Sequence, residues 1–314
     1  MSSGGFIRAA ASIALVLGVA GGLAGWALSA PRPVVATGAP SLEQGGDAQR
    51  GKLFFDAGGC AACHMSPGQA DRLKLGGGLE LKSPFGSFFS PNISSHPTDG
   101  IGAWTVADLV NAMQAGVSPS GQHYYPAFPY TTYAHAKVED IRDLMAYLKT
   151  LEPVAGKAPG HRLGFPFNIR RSVGLWKLLN LDTTALANES TQSAEWNRGR
   201  YLTEAFGHCA ECHSARNLIG GIMGGYRFAG GPDVEGEGWV PNITQARDGL
   251  ADWSAKDIAW MLKSGDTPEG DVVGGSMKPV VRNMAELPDA DRDAIALYIK
   301  SLPGRDSPPK PSKK

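Results

Sequence analysis

Two copies of one pentapeptide constrain this chain more than any other feature. Residues 60–64 read Cys-Ala-Ala-Cys-His and residues 209–213 read Cys-Ala-Glu-Cys-His. C-x-x-C-H is the attachment pattern of c-type haem. The two thiols form thioethers with the haem vinyl groups, and the adjacent imidazole is placed under the iron. The chain has four cysteines, and the motifs use all of them. A zinc ribbon or a redox dithiol is the competing reading. A four-cysteine zinc site wants its second pair roughly 15–20 residues after the first, whereas these pairs begin 149 residues apart (209 − 60) and each carries the adjacent histidine. The expectation is two covalently bound haem c groups, held by Cys60, Cys63, Cys209 and Cys212, with His64 and His213 as proximal iron ligands.

The repeat extends well beyond the motifs. Gly51-Lys-Leu-Phe-Phe answers Gly199-Arg-Tyr-Leu-Thr, and Pro91-Asn-Ile-Ser answers Pro241-Asn-Ile-Thr. Asp99-Gly-Ile-Gly-Ala-Trp answers Asp248-Gly-Leu-Ala-Asp-Trp, and Tyr147-Leu-Lys-Thr-Leu answers Tyr298-Ile-Lys-Ser-Leu. A near-constant offset over about a hundred residues marks a duplicated domain. Each copy predicts a first helix with Asp47 or Ser193 as N-cap, broken by Gly58-Gly59 or Gly207 before the cysteines. Middle helices are expected at about 105–115 and 254–264, closing on Gly116 and Gly265. The last helices show one-face apolar spacing, through Ile141, Leu144, Met145 and Leu148, and through Ile295, Tyr298, Ile299 and Leu302. Pro153 and Pro303 stop them.

This plan resembles the class I cytochrome c fold. The expected architecture is all-α: two tandem domains at 45–153 and 193–304, and an apolar strap at 154–192 packed across both. The Pro/Lys-rich tail 305–314 reads as disordered. Segment 1–31 holds one charge, Arg8, before an uncharged, mostly apolar run from Ile13 to Ala30. That run is at the lower edge of a membrane span and longer than a usual signal core. Pro31 after Ala-Leu-Ser-Ala would hinder signal cleavage, so an uncleaved anchor is favoured over a removed signal, with 31–45 as a Pro/Gly tether. Thirty basic residues balance thirty acidic ones, which gives no footing for a nucleic-acid partner.

Several stretches together are similar to one family. They are Pro-Asn-Ile-Ser/Thr, Asp-Gly-Ile-Gly-x-Trp, Tyr125-Pro-Ala-Phe-Pro-Tyr130, Phe165-Pro-Phe-Asn-x-Arg and Trp196-Asn-Arg-Gly-x-Tyr-Leu. The family is the multihaem cytochrome c subunits of membrane-bound periplasmic dehydrogenases for alcohols, gluconate and related substrates, and the likeness covers about residues 45–304. Those subunits often carry three haem domains, whereas this chain has two motifs. The resemblance implies a periplasmic, membrane-tethered electron carrier. It would take electrons from a dehydrogenase subunit and pass them to a cytochrome, quinone or oxidase. The alternative is a dihaem redox enzyme of peroxidase or thiosulfate dehydrogenase type.

The sixth iron ligand separates these readings, because Met/His ligation suits electron transfer. Met223, Met261, Met277 and Met284 are the candidates in the second copy. The family places its distal methionine in the loop before the last helix, which matches Met277. Where the family often has methionine in the first copy, this chain has Phe128. His123 stands five residues earlier, after Ser118-Pro-Ser-Gly-Gln122, and is the expected replacement, giving the first haem bis-His ligation by His64 and His123. An open position, or another side chain, remains the alternative. Arg170 and Arg171 suit either haem propionates or a surface role.

Overall fold

The computed structural model describes residues 3–36, 42–234 and 238–310. Helix α1 (Ser3–Leu28) precedes α2 (Ala48–Ala57) and α3 (Cys60–His64). Strands β1 (Glu80–Ser83) and β2 (Gly86–Phe89) follow, then α4 (Val106–Ala115), α5 (Tyr130–Tyr133) and α6 (Val138–Leu148). The middle of the chain forms β3 (Arg162–Leu163) and α7 (Ser172–Asn180). The C-terminal half holds α8 (Ala194–Tyr201), α9 (Cys209–Cys212), β4 (Gly231–Pro232), β5 (Trp239–Val240), α10 (Ala255–Ser264), α11 (Met277–Met284) and α12 (Asp289–Lys300). The fold is helical, modified by two small antiparallel sheets, β1-β2-β3 and β4-β5.

The helix ends fall where the capping residues stand. Asp47 accepts from Gln49 N and Arg50 N, and Ser193 from Trp196 N. Thr105 with Asp108 and Ser254 with Asp257 form capping boxes, each satisfying two otherwise orphaned amides. Gly116 and Gly265 close α4 and α10 in the left-handed conformation.

Two close crossings bring the terminal helices of each half together. α2 lies against α6 so tightly that a Cβ on Gly51 would stand 1.9 Å from Asp143 O. α8 meets α12 the same way, where a Cβ on Gly199 would stand 1.8 Å from Ala294 O. Only glycine lets the backbones approach this far, which explains why both copies build their first helix around one.

One apolar core runs through both halves, with a smaller cluster of Phe88, Tyr125 and Val173 beside it. Phe55, Tyr130, Leu202, Phe206 and Ile258 are almost wholly removed from water, each contributing about 1.5–3 kcal/mol by burial. Phe54 stacks on Phe206 across the halves at 4.6 Å. Tyr201 Oη receives a hydrogen bond from Lys137 N and donates to Asp140.

Three expectations change. Residues 305–307 are not loose: Arg305 O accepts from Asn242 Nδ2 at 2.7 Å, and Ser307 Oγ donates to Ala229 O at 3.0 Å. Residues 311–314 lie outside the described residues. The described part of the tether is docked, because Asn111 Oδ1 accepts from Val34 N and Val35 N and Asn111 Nδ2 donates to Val35 O. Met277, expected in a loop, is the first residue of α11.

Candidate haem sites

α2 delivers the chain to the first motif. Gly58 caps it, Gly59 turns through the left-handed region (φ 61°), and Cys60–His64 form one helical turn. Residues three apart share a face on such a turn, which puts Cys60 and Cys63 on one side. His64 Nδ1 lies 2.8 Å from Pro91 O. A carbonyl only accepts, so Nδ1 carries the proton and Nε2 keeps its lone pair. Burial, opposed by the Pro91 bond, lowers the His64 pKa and keeps the ring neutral.

The second motif repeats this construction. A π-helical turn over Leu202–Phe206 ends at Gly207, and His208 takes the left-handed conformation (φ 39°) before Cys209. His213 Nδ1 lies 2.8 Å from Pro241 O, and burial again lowers its pKa. Burial pushes the Cys60 and Cys209 thiols up to about 12.

What aims each imidazole is a braced loop. Asn92 Oδ1 accepts from Ser94 N while Asn92 Nδ2 donates to Val154 O and Gly156 O. Asn242 does the same with Thr244 N and Arg305 O. On the other side of each histidine, Gly77 N donates to His64 O and Gly230 N to His213 O, both at 2.9 Å. These braces explain the repeated Pro-Asn-Ile-Ser/Thr stretches as pins for the proline carbonyl.

Met277 is half-buried against the core at the start of α11. Met261 and Met284 are core residues, and Met223 is 41% exposed. Phe128 belongs to an aromatic cluster, with ring centroids 5.8 Å from Tyr124 and 5.7 Å from Tyr133. Met113 and Met145 are buried in the core.

The expected role of His123 does not fit its surroundings. Its Nε2 lies 2.9 Å from Ser29 O, at the end of α1, and its Nδ1 lies 3.0 Å from Lys177 Nζ. Ser29 O accepts, so Nε2 is protonated, and Nδ1 accepts from the lysine. Neither nitrogen is left for iron. Five residues of spacing carried no information about this, because the partners come from α1 and α7. Arg170 and Arg171 are engaged elsewhere too. Arg170 donates to His123 O and lies over Tyr125; Arg171 donates to Trp26 O and Ser29 Oγ and lies over Trp26.

The two motifs meet directly. His208 Nε2, one residue before Cys209, lies 3.2 Å from Gly58 O, two residues before Cys60. Tyr133 Oη donates to the same carbonyl at 3.1 Å. Glu211, inside the second motif, accepts from Thr131 Oγ1 at 2.6 Å and pairs with Arg216 at 2.6 Å. Burial raises the Glu211 pKa, but Arg216 and Thr131 outweigh it and hold the carboxyl below its usual value. Neither His208 nor Glu211 carries a signal of its own beyond its closeness to the motif cysteines.

The donor set suits covalently attached haem: each motif offers two thiols on one helical face and a neutral imidazole with Nε2 open. Among the described residues no group of three or more His, Cys, Asp or Glu side chains gathers around a common point, so the four-thiolate zinc arrangement is not formed. Such a pair of sites in a helical fold defines a c-type cytochrome. The cytochrome c family profile matches residues 48–152. Over 298 residues the chain is 49% identical to a diheme cytochrome c-type protein of Cereibacter sphaeroides, covering 93% of this chain and 97% of that one. It is 39% identical to a nicotinate dehydrogenase subunit of Pseudomonas putida and 36% identical to the fructose dehydrogenase cytochrome subunit of Gluconobacter japonicus, each over 82% of this chain. It spans only 21% and 52% of those two proteins. The chain belongs to this family of dihaem cytochromes c and dehydrogenase cytochrome c subunits. It carries two covalently bound haem c groups, and its chemistry is electron transfer.

Proposed function

We propose that this chain is a membrane-tethered dihaem cytochrome c on the periplasmic face, with cytochrome c domains at 45–153 and 193–304 joined by the strap 154–192. It takes electrons from a dehydrogenase subunit and passes them to a cytochrome, quinone or oxidase. Haem, when bound, supplies a one-electron iron couple. Cys60, Cys63, Cys209 and Cys212 would hold the two groups, with His64 and His213 as the proximal iron ligands and Met277 as the distal ligand of the second. The observation that carries the reading is the His208–Gly58 contact. It joins the two attachment turns through one hydrogen bond, so that two haems held there would lie close together within one chain. The relatives named as dehydrogenase subunits supply the class of donor. Periplasmic placement follows from where haem is attached, after export. The tether is supported by α1, whose segment Ala11–Leu28 is 18 residues long and apolar enough to cross a membrane.

The test is to solubilise membranes, capture the full-length chain, and look for a co-purifying dehydrogenase whose substrate reduces both haems. Reduction of neither haem by any co-purified subunit overturns the electron-carrier reading.

One observation favours a dihaem redox enzyme as the second reading. Phe128 stands where methionine is expected, and both nitrogens of His123 are occupied. Rapid CO binding at one haem together with peroxide turnover would establish it. Without turnover, an open haem still belongs to an electron carrier.

A further inference from the structure

Helix α7 is built inside out. Its inward face presents Val173, Gly174 and Lys177, and Lys177 is only 8% exposed. Its outward face presents Leu175, Leu178 and Leu179, spaced as one helical stripe and 43%, 55% and 77% exposed. A helix in contact only with water and protein has the opposite arrangement. Lys177 is accounted for: it donates to Ala115 O at 2.6 Å and Gly116 O at 2.8 Å and faces His123 and Tyr130. The leucines have no such account.

The stripe continues on both sides. Phe165, Phe167 and Ile169 are exposed just ahead of α7, and the Phe167 ring packs on Phe85 at 4.8 Å. Leu218 and Ile219 are exposed in the neighbouring loop, which Trp176 Nε1 ties to α7 through Ile219 O at 2.8 Å. Together these make an apolar surface of the kind that marks an interaction site.

Its position identifies what covers it. α7 is seated on the end of α1, where a Cβ on Gly174 would lie 2.2 Å from Ser29 O. Arg171, at the start of α7, donates to Trp26 O at 2.7 Å and lies over the Trp26 ring at 4.2 Å. The apolar segment Ala11–Leu28 has 18 residues, roughly 27 Å of helix, close to the hydrocarbon thickness of a bilayer. A tryptophan and an arginine at its end belong at the headgroup level. The exposed stripe therefore leaves the body where the bilayer surface begins.

We propose that the outward face of α7, with Phe165, Phe167 and Ile169, is a second membrane contact that inserts among the lipids at the headgroup–acyl boundary. It holds the haem-bearing body at a fixed height on the bilayer rather than on a free tether. This rests on the reading of α1 as an anchor. An interfacial helix of this kind binds through buried apolar area, here that of the leucines.

The experiment uses the full-length, haem-loaded chain in nanodiscs of phosphatidylcholine and phosphatidylglycerol doped with a phospholipid bearing a photoreactive acyl chain. Crosslinked peptides are mapped by mass spectrometry. Labelling of both α1 and residues 165–180 is expected. In the variant Leu175→Ser/Leu178→Ser/Leu179→Ser, the 165–180 labelling should be lost while α1 labelling and haem content persist. Labelled α1 with unlabelled 165–180 overturns the proposal and leaves the anchor intact, as does protection of 165–180 by an added dehydrogenase with no lipid adduct. Labelled 165–180 with unlabelled α1 supports the contact and sinks the anchor. Absence of both labels overturns both.

Discussion

The imidazole of His208 lies 3.2 Å from the carbonyl oxygen of Gly58, joining the residue before Cys209 to the turn that leads into Cys60. His208 holds the left-handed conformation there, at φ 39°. Tyr133 Oη reinforces the same carbonyl, donating to it at 3.1 Å.

His208→Ala should lower stability by about 1–2 kcal/mol through loss of a buried hydrogen bond. His208→Gly loses the same bond but relieves the left-handed backbone, so it should cost less by about 0.5–1 kcal/mol. Urea midpoints of the two variants measure the difference. If alanine proves as stable as glycine, the backbone at 208 is not strained.

Phe128 and Met277 hold equivalent places, 149 residues apart (277 − 128). Met277→Ala should open the second haem, lower its potential and let it bind CO, because a thioether ligand raises the potential. Phe128→Met should do the reverse at the first haem, giving a low-spin spectrum and a higher potential. Potentiometric titration with visible and magnetic resonance spectra reads both changes. Unchanged spectra in both variants would assign the distal positions elsewhere.

Gly51→Ala and Gly199→Ala should each destabilise the chain by about 3 kcal/mol, the upper range for overpacking. A Cβ at either site has no room against Asp143 O or Ala294 O. Denaturant midpoints of the haem-loaded proteins test this, and a fall below about 1 kcal/mol would mean that the helix pairs can part at small cost.

Lys177 provides a pH test. Burial pulls its pKa from 10.5 down to about 7. Between about pH 7 and 10.5 the unfolded chain therefore binds more protons at this site than the folded one, so its contribution to stability rises with pH across that window. The slope is at most about 1.4 kcal/mol per pH unit. Lys177→Met should flatten the difference between unfolding midpoints measured near the two ends of that window. Equal slopes in both proteins would place no titration at Lys177.

His123→Ala should leave the spectrum of the first haem unchanged and loosen the seat of α1, since His123 Nε2 bonds Ser29 O. Limited proteolysis around residues 29–36 measures the seat, and a changed haem spectrum would restore His123 as a ligand candidate.

Much of this molecule is written locally. The C-x-x-C-H turns, the caps at Asp47, Ser193, Gly116 and Gly265, and the repeat itself are short-range patterns, because capping, turn conformation and helical periodicity depend on residues within a few positions of each other. Two haem groups follow from those patterns; electron transfer rests on the likeness to dehydrogenase cytochrome subunits. Long-range placement was not legible. His123 looked like an iron ligand by spacing, but its nitrogens are taken by Ser29 and Lys177, 94 and 54 residues away. The hydrogen-bond partner of the His208 ring is not local in sequence; folding sets Gly58 beside it, 150 residues distant. The helix at 172–180 was hidden because its exposed leucines and buried lysine invert the pattern that marks a water-facing helix. Partners for a buried polar group and cover for an exposed apolar face are chosen by whatever the fold brings near, and only the tertiary structure decides that.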